Sequence, residues 1–271
     1  MIRPKLEPLS RETVNRALDE AYDLLMDPGV LIHYDEALQL LGDAGAEVDM
    51  ESRIARIPRT LAEKAVETAP SSFHLYDYDG KPVVHYGGDD VHFDPGSAAI
   101  EIADYGADQS RVPVTVDCEN YVRVAEMLPQ IDAVATSIVC GDVPQVMGDW
   151  YRLYLLLRYA RKPIVTGTFS IESFSVMHEL LVAVAGSAEA LAEKPRAIFD
   201  ACPSPPLMWS DITCANLIDA ARARVPAELI PMPLMGATGP ATIIGSAVQH
   251  AAEALSGITI HQLANPGSPI V

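Results

Sequence analysis

A repeating order of strand, corner and helix begins near residue 91 and most restricts what this chain can fold into. Short β-branched stretches lead into proline or glycine corners, and amphipathic segments follow them. The pattern predicts six strands, at 91–96, 132–139, 162–169, 196–203, 227–234 and 257–267. Five helical segments separate them: CENYVRVAEML, WYRLYLLLRYA, FSVMHELLVAVAG, DITCANLIDAARA and ATIIGSAVQHAAEAL. Strands that alternate with helices pair in parallel through right-handed crossovers.

The polar and glycine-containing corners follow the strands, which is where an α/β barrel places its binding loops. A doubly wound sheet is the alternative, but no GxGxxG or GxxxxGK[ST] follows any predicted strand. We therefore predict an α/β protein with a TIM-type (β/α)8 barrel, incomplete here because the sequence supplies about six of the eight units. An open barrel exposes strand edges, so we also expect a homo-oligomer.

The first part of the chain has a different pattern. Three helical segments follow one another, beginning at Ser10, near His33 and at Pro58. The apolar period then changes to two on either side of Asp79-Gly80, which indicates a β-hairpin within 72–86. We predict a helical cap plus hairpin over 1–90 and the partial barrel over 91–271.

Composition limits the partners. The formal net charge of −18 repels nucleic acid and anionic lipid, so neither is expected as a partner. The N-terminus has no apolar stretch fit for a signal peptide, and no apolar run reaches the roughly 18 residues of a membrane span. We expect a cytoplasmic protein. Four widely spaced cysteines form no CxxC pair, which predicts reduced thiols and no bound metal.

Several stretches of the sequence resemble the trimethylamine:corrinoid methyltransferase superfamily, which includes trimethylamine and glycine betaine methyltransferases. They are HFDPGSAAIEI, KPIVTGTFS, PMPLMGATGPATIIGSAVQHAAEALSGI and HQLANPGSPIV. The last two are the most specific, because a Gly-Ala-Thr-Gly-Pro corner, Gln249-His250 and an Asn265-Pro266-Gly267 corner occur together.

The resemblance implies a (β/α)8 barrel about twice as long as the portion present here, so the last barrel units would be missing. Trimethylamine enzymes of the family carry pyrrolysine in that missing part, and members without it resemble betaine demethylases. The implied activity moves a methyl group from a methylated amine, a betaine or trimethylamine, to cob(I)alamin. The resemblance places that corrinoid on a separate protein, so cobalamin is expected on a partner and no cofactor on this chain.

Two other readings of the sequence stay open. A metal-assisted lyase or aldolase on the same barrel would need convergent metal ligands or a Schiff-base lysine. Lys162 and Lys194 instead begin predicted strands, at the end away from the binding loops. A non-catalytic fragment that keeps only binding or assembly surfaces is the other alternative, because barrel units are missing.

A bound ammonium group calls for carboxylate or aromatic side chains at the strand ends. Asp94 follows the first predicted strand and either faces the ammonium or forms a turn with its own backbone. Trp209, in the proline-stiffened loop that also contains Cys202, offers an aromatic face or a packing anchor. Phe93 and Phe169 are among the few aromatic alternatives.

The remaining candidates are polar. Thr166 and Thr168 flank Gly167, whose missing side chain would let a ligand or a neighbouring backbone approach. Thr238 is expected at or near a helix N-cap, where free amides suit an anion such as a betaine carboxylate. His261 of the predicted sixth strand is either an inward-facing polar residue or a core histidine with a backbone partner. In the corner after this strand, Gln262 and Asn265 bond either the tail of the substrate or the loop backbone.

Overall fold

A computed structural model describes residues 7–96 and 98–271. Its helices are α1 (Arg11–Met26), α2 (Asp35–Asp43), α3 (Arg59–Thr68), α4 (Thr115–Met127), α5 (Gly148–Tyr159), α6 (Ser173–Ala185), α7 (Ala188–Glu193), α8 (Asp211–Ala223) and α9 (Ile243–Ala264). Its strands are β1 (Val30–Ile32), β2 (Glu47–Asp49), β3 (Ile54–Arg56), β4 (Phe73–Tyr76), β5 (Pro82–Tyr86), β6 (Ile102–Ala103), β7 (Ser110–Arg111), β8 (Val134–Ala135), β9 (Ile164–Thr166), β10 (Ala197–Ala201), β11 (Met208–Trp209) and β12 (Ala227–Leu229).

The predicted N-terminal helices are confirmed as α1, α2 and α3. Ser10 caps α1, because its Oγ accepts a hydrogen bond from the Thr13 amide at 3.1 Å. Between the helices, β1, β3 and β2 form a small antiparallel sheet that the sequence pattern did not predict. Strand β11, from the loop after β10, joins this sheet in parallel beside β1. The two parts of the chain thus share one sheet.

The predicted hairpin is confirmed as β4 and β5. The amides of Tyr76 and Tyr78 donate to the carbonyls of Pro195 and Arg161, which precede β10 and β9. The hairpin therefore lies at the amino ends of the parallel strands. Its inner side chains form a small apolar cluster with one face of the parallel sheet: Leu75, Val84, Ala133, Ala135, Val165 and Ile198.

Four of the predicted strands contain the parallel sheet, in the order β12-β10-β9-β8. Side chains alternate between its two faces. Along β10, Phe199 packs into the main core with the helices, whereas Ile198 packs against the hairpin. The face that carries Ile198 also carries Asp200, one strand period farther along, so polar groups follow the small apolar cluster toward the carboxyl ends of the strands.

Two of the six predicted strands are wrong. Residues 91–96 form no strand, although Ala99 makes a parallel bridge to Ile138 just beyond them. Residues 257–264 continue helix α9, and a parallel bridge to Ala227 appears only at Ile270. Helix α9 packs against α1, α3 and α8, so it is buried on several sides and lacks the polar face that marks a surface helix. Burial overrides the β-branched character of GITIHQLA.

The sheet is parallel within a mixed α/β fold, and the described residues show no closed barrel. The TIM-type barrel thus stays a prediction, as does the division at residue 90. No helix within 7–96 and 98–271 combines the length and apolar character needed to cross a membrane.

Candidate functional site

A cavity of about 670 Å³ opens at the carboxyl ends of the parallel strands. This is the edge at which α/β folds position ligands, because the loops that follow parallel strands converge there. Its walls come from the loop before the Ala99 bridge, from the ends of the parallel strands and from the start of α8: Asp94, Gly96, Ala98, Ala135, Thr136, Arg152, Val165, Gly167, Thr168, Phe169, Asp200, Cys202, Ser210, Ile212, Thr213, Asn216, Glu228 and Ile230.

One wall carries carboxylates on neighbouring strands. Asp200 of β10 pairs in register with Glu228 of β12, and both side chains line the cavity. Burial, followed by the charges of Glu228 and Asp94, raises the pKa of Asp200 to about 8. Burial also raises the pKa of Glu228. Within the described residues, Asp200 Oδ1 and Glu228 Oε2 have no hydrogen-bond partner. The charge of Arg152 lowers the pKa of Asp200, but by less than burial raises it.

Tyr86, the last residue of β5, lies beneath these carboxylates. Its pKa is raised by burial and then by the charges of Glu228, Asp94 and Asp200. The hairpin thus delivers an aromatic hydroxyl to the acidic wall, and the phenol stays protonated at physiological pH. A buried group of carboxylates beside an aromatic ring favours a cationic ligand.

A buried ion pair lies at the opposite edge of the parallel sheet, beside the end of β8. Arg152 of α5 donates to Asp149 Oδ1 at 3.0 Å and to the Thr136 carbonyl, at the end of β8, at 2.7 Å. The second oxygen of Asp149 accepts the Phe169 amide at 2.7 Å. The Phe169 ring stacks on the guanidinium, with 4.9 Å between the ring centroid and Cζ. This pair joins α5 to the loops after β8 and β9.

Thr168 and Asn216 complete the polar side of the cavity. The Asn216 amide group donates to Thr168 Oγ1, and Asn216 Oδ1 has no partner among the described residues. Gly167 lies beside them, and a Cβ there would come within 3.4 Å of Asp200 Cβ. Asp200 thus lies at an ordinary contact distance from this position, and the need for a glycine here stays a prediction.

Four of the predicted site residues line the cavity: Asp94, Thr168, Phe169 and Cys202. Asp94 also forms the expected turn, because its Oδ1 accepts the Gly96 amide at 2.9 Å. Burial, then the charges of Asp200 and Glu228, raises the pKa of Cys202 to about 11. Its thiol is therefore neutral at physiological pH and a weak nucleophile.

Three other candidates lie near the sheet but outside the cavity lining. The Phe93 side chain is exposed, and its backbone bonds Asp132. Thr166 is buried, and its hydroxyl lies 3.1 Å from that of Thr136. Of the two alternatives for Trp209, the structure shows the packing anchor. The residue lies in β11 and is fully buried, with its Nε1 donating to Ser256 Oγ at 2.8 Å.

The candidates from the predicted sixth strand lie in or after helix α9, away from the cavity lining. His261 is fully buried, which lowers its pKa to about 3, and its Nδ1 lies 3.1 Å from Gln262 Nε2. Gln262 bonds the Ser268 carbonyl and the Gly267 amide, closing the turn after the helix. Asn265 donates to the Ala221 carbonyl at 2.8 Å, which fixes that turn to α8.

Thr238 does not cap the helix. The N-cap of α9 is Thr242, whose side chain accepts from the Gly245 amide, whereas Thr238 Oγ1 accepts the Leu234 amide within a tight turn. The Thr238 carbonyl accepts from Gln249 Nε2 at 3.0 Å. The hydrogen bonds of Thr238 thus join this turn to itself and to α9, and Pro240 lies between the turn and the helix.

The sequence analysis missed Asp200, Glu228, Tyr86, Arg152 and Asn216. The first two lie in predicted strands, RAIFDACP and AELIPMPL. A carboxylate within an otherwise apolar parallel strand is unusual, and its strand period places Asp200 on the same face as Cys202. The sequence pattern alone could therefore have identified Asp200 as a candidate. The contributions of Tyr86 and Arg152 depended on tertiary packing, because neither follows a strand of the sheet.

No cluster of three or more His, Cys, Asp or Glu side chains suited to a metal ion occurs within residues 7–96 and 98–271. The nearby His92 lies 3.2 Å from Asp132 Oδ2 through its Nδ1, and its Nε2 accepts the His85 amide. The cysteines are free, and Cys118, Cys140 and Cys214 are buried.

Fold and site together define a mixed α/β protein with a carboxylate-lined pocket at the ends of its parallel strands. The family model for trimethylamine methyltransferase (MTTB) matches residues 2–271, and the chain belongs to this family. The predicted resemblance is confirmed.

Individual relatives agree with that assignment. The chain is similar to trimethylamine methyltransferase MttB of Desulfitobacterium hafniense, with 28% identity over 92% of this chain and 50% of that protein. The MttB of Methanosarcina thermophila is 30% identical over 92% of this chain and 52% of that protein. A glycine betaine methyltransferase of D. hafniense is 26% identical over 99% of this chain and 56% of that protein. The chain thus spans about half the length of these relatives.

Proposed function

We propose that this chain forms the substrate-binding part of a methyltransferase that removes a methyl group from a methylated amine. The substrate is a quaternary ammonium compound such as a betaine, or trimethylamine, and the acceptor is cob(I)alamin on a separate corrinoid protein. The membership of the family and the names of the relatives support the reaction class. The observation that carries the substrate class is the carboxylate wall of Asp200 and Glu228.

The chemistry explains why such a wall is useful. Cob(I)alamin, when presented by its carrier, supplies the nucleophile for the methyl carbon, and the C–N electron pair stays with the departing amine. A quaternary nitrogen leaves as a neutral amine, so the residues of this chain need only bind and orient the cation. Asp200 and Glu228, which line the cavity, hold the ammonium group, and Tyr86 lies behind them as a hydrogen-bond partner of Glu228.

Binding of choline and of its neutral isostere 3,3-dimethylbutan-1-ol tests the cation preference. In the isostere a carbon atom replaces the nitrogen, so shape is kept and charge is lost. By titration calorimetry at pH 8, we expect choline to bind at least about tenfold more tightly, equivalent to about 1.4 kcal/mol. Equal affinities would contradict the proposed substrate class.

Variants test whether the two carboxylates cause this preference for a cation. The double variant Asp200→Asn, Glu228→Gln should abolish the difference between the two ligands, because amides carry no charge. Glu189→Gln, at an exposed position of α7, is the control for the acidic surface and should leave the difference unchanged. If both variants behave alike, the overall charge of −18, rather than the cavity, attracts the cation.

Methyl transfer itself requires an assay for the corrinoid partner. The measurement is methylcobalamin formation from a methylated amine, with cob(I)alamin either free or carried by a corrinoid protein. We expect the carried form to react faster, because docking places the methyl acceptor over the cavity. Equal rates with both forms would contradict the need for a partner.

A further inference from the structure

Two of the four cysteines lie against each other in the main core. Cys118, near the start of α4, is fully buried, and Cys140, in the segment after β8, is 3% exposed. Their thiols are hydrogen-bonded to each other. The two residues are far apart in the sequence, so the contact is produced by the packing of α4 against the end of the parallel sheet.

Hydrogen bonds beside the two thiols hold the same segments together. The Gly141 amide donates to the Pro113 carbonyl at 2.8 Å. The amide and the hydroxyl of Thr115, at the start of α4, donate to Asp142 Oδ1 at 2.9 and 3.1 Å. Thr115 and Cys118 are three residues apart and therefore share one face of the helix. That face meets the segment after β8, so the contact between the two sulfurs belongs to a well-bonded junction.

The two thiols differ in their affinity for a proton. The hydrogen bond from Cys118 lowers the pKa of Cys140, against burial and the charge of Asp142, which raise it. The pKa of Cys118 is raised, first by the same hydrogen bond and then by burial. The charge of Arg152 favours a thiolate at either sulfur. Cys140 is therefore the thiolate of the pair, and Cys118 keeps its proton.

The other two cysteines have different surroundings. Burial raises the pKa of Cys214 in α8. Cys202 lines the cavity and is more accessible, but burial and the neighbouring carboxylates keep its thiol protonated. The thiolate is the form of cysteine that reacts with an oxidant. Accessibility and thiolate character thus predict different cysteines as the first to be oxidised.

We propose that Cys118 and Cys140 form a redox-active dithiol, which a small hydroperoxide oxidises to a disulfide within the chain. The reaction is separate from the proposed methyl transfer. Both sulfurs are buried, so the oxidant has to be small. Cys140 lies outside the helices and strands, so its backbone can adjust to an S–S bond of about 2.05 Å.

The reaction has two steps. The Cys140 thiolate attacks one oxygen of hydrogen peroxide, the O–O bond breaks, and the departing hydroxide takes the Cys118 proton to form water. The Cys118 sulfur then attacks the sulfur of the Cys140 sulfenic acid and the S–O bond breaks. The hydroxide that leaves takes up the proton that Cys140 had released to solvent. Both thiols thus give their protons, and one electron each, to a peroxide that becomes two waters.

Peptide mapping of the peroxide-treated protein tests this proposal. The folded chain is treated with hydrogen peroxide, catalase removes the excess, and free thiols are alkylated in urea before trypsin digestion without reductant. Cleavage after arginine separates Cys118, in peptide 112–123, from Cys140, in peptide 124–152, so only a disulfide keeps these peptides joined. We expect the joined species to form at least about tenfold faster than Cys202 loses its thiol, and a dithiol reductant to separate it.

Three results of this map would overturn the proposal. They are oxidation of Cys202 before the pair, a sulfinic acid on Cys140 without joined peptides, and no oxidation of the pair at all. Non-reducing electrophoresis of the same samples checks that the bond lies within one chain. A covalent dimer that accounts for the joined peptides would contradict a disulfide within the chain.

Two alanine variants separate the effect of the pair from that of any buried cysteine. Cys118→Ala removes the hydrogen bond to Cys140, so loss of the Cys140 thiol should slow at least about tenfold and no joined peptide should form. Cys214→Ala makes the same change at a buried cysteine of α8 and should leave disulfide formation unchanged. Loss of the Cys140 thiol at the parent rate in Cys118→Ala would contradict activation by the pair. If circular dichroism shows that Cys118→Ala does not fold, the map of the parent chain decides.

Discussion

The carboxylate wall of the cavity and the turn after α9 are both polar, but they differ in how their polar groups are paired. In the turn, Gln262, Asn265 and Ser268 bond one another and the carbonyl of Ala221. In the wall, Asp200 and Glu228 each have an oxygen without a partner in the described chain. Paired polar groups stabilise a fold, whereas unpaired ones at a cavity cost stability and are available to a ligand.

The same contrast separates the two aromatic candidates. Trp209 is enclosed beneath α9, where Gly257 permits its approach: a Cβ at that position would lie 2.7 Å from Trp209 Cζ2. Phe169 is 62% exposed and lines the cavity. Sequence alone made Trp209 the better candidate for a cation-binding face, and packing assigns it to the core.

The largest expected effect is loss of the buried indole. Trp209→Ala should lower the free energy of unfolding by about 3–5 kcal/mol, because it leaves a cavity between β11 and α9 and removes the partner of Ser256. Urea denaturation measures the loss. Trp209→Phe keeps most of the ring and should cost much less. A Trp209→Ala variant of unchanged stability that no longer binds choline would instead make Trp209 a ligand contact.

A smaller loss is expected from the turn. Asn265→Ala removes the donor to Ala221 and to Ser268 Oγ, at 2.8 and 2.9 Å. We expect the free energy of unfolding to fall by about 1–2 kcal/mol, with ligand affinity unchanged. Asn120→Ala, at an exposed position in α4, is the matched control and should lose no stability, because Ala favours a helix more than Asn does. A loss of choline affinity in folded Asn265→Ala would contradict the claim that the polar groups of the turn serve stability alone.

The opposite sign is expected at the wall, where Asp200→Asn should raise stability by about 1–2 kcal/mol near pH 8. The pKa of Asp200 is raised from 3.8 to about 8, mainly by burial, so between these values the folded chain keeps a proton that the unfolded chain has lost. Its stability therefore falls as pH rises from about 4 to about 8 and then levels.

The gain from Asp200→Asn should accordingly be absent near pH 3 and largest above pH 8. The raised pKa of Glu228 gives a slope of the same sign, so the variant should keep part of the pH dependence. Thermal unfolding at a series of pH values measures it. A variant less stable than the parent at pH 8 would show that Asp200 is compensated in the folded state.

The smallest effect concerns ligand binding. A cation favours the charged form of Asp200, which faces Glu228, Asp94 and Arg152, so binding should release a proton. Choline affinity should rise about fivefold between pH 6 and 8 and then level, and the rise should diminish in Asp200→Asn. Calorimetry in buffers of different ionisation enthalpy counts the proton. An affinity independent of pH would mean that the bound cation does not lie beside Asp200.

The sequence by itself determined the elements with a clear local period or cap. Helices α1, α2 and α3, the hairpin and four parallel strands follow from apolar spacing, from Ser10 and from the Asp79-Gly80 turn. Four of the predicted site residues also lie in the cavity, because the residues just after parallel strands meet at one edge of the sheet whatever the packing around them.

Only the tertiary structure decided the rest. GITIHQLA is β-branched and apolar, and it is helical because α1, α3 and α8 bury α9 from several sides. That change removes His261, Gln262 and Asn265 from the cavity and encloses Trp209. The buried charges near the cavity instead contact Tyr86 from the hairpin and Arg152 from a helix. These partners come from whichever elements pack nearby, so the local periodicity of the sequence does not predict them.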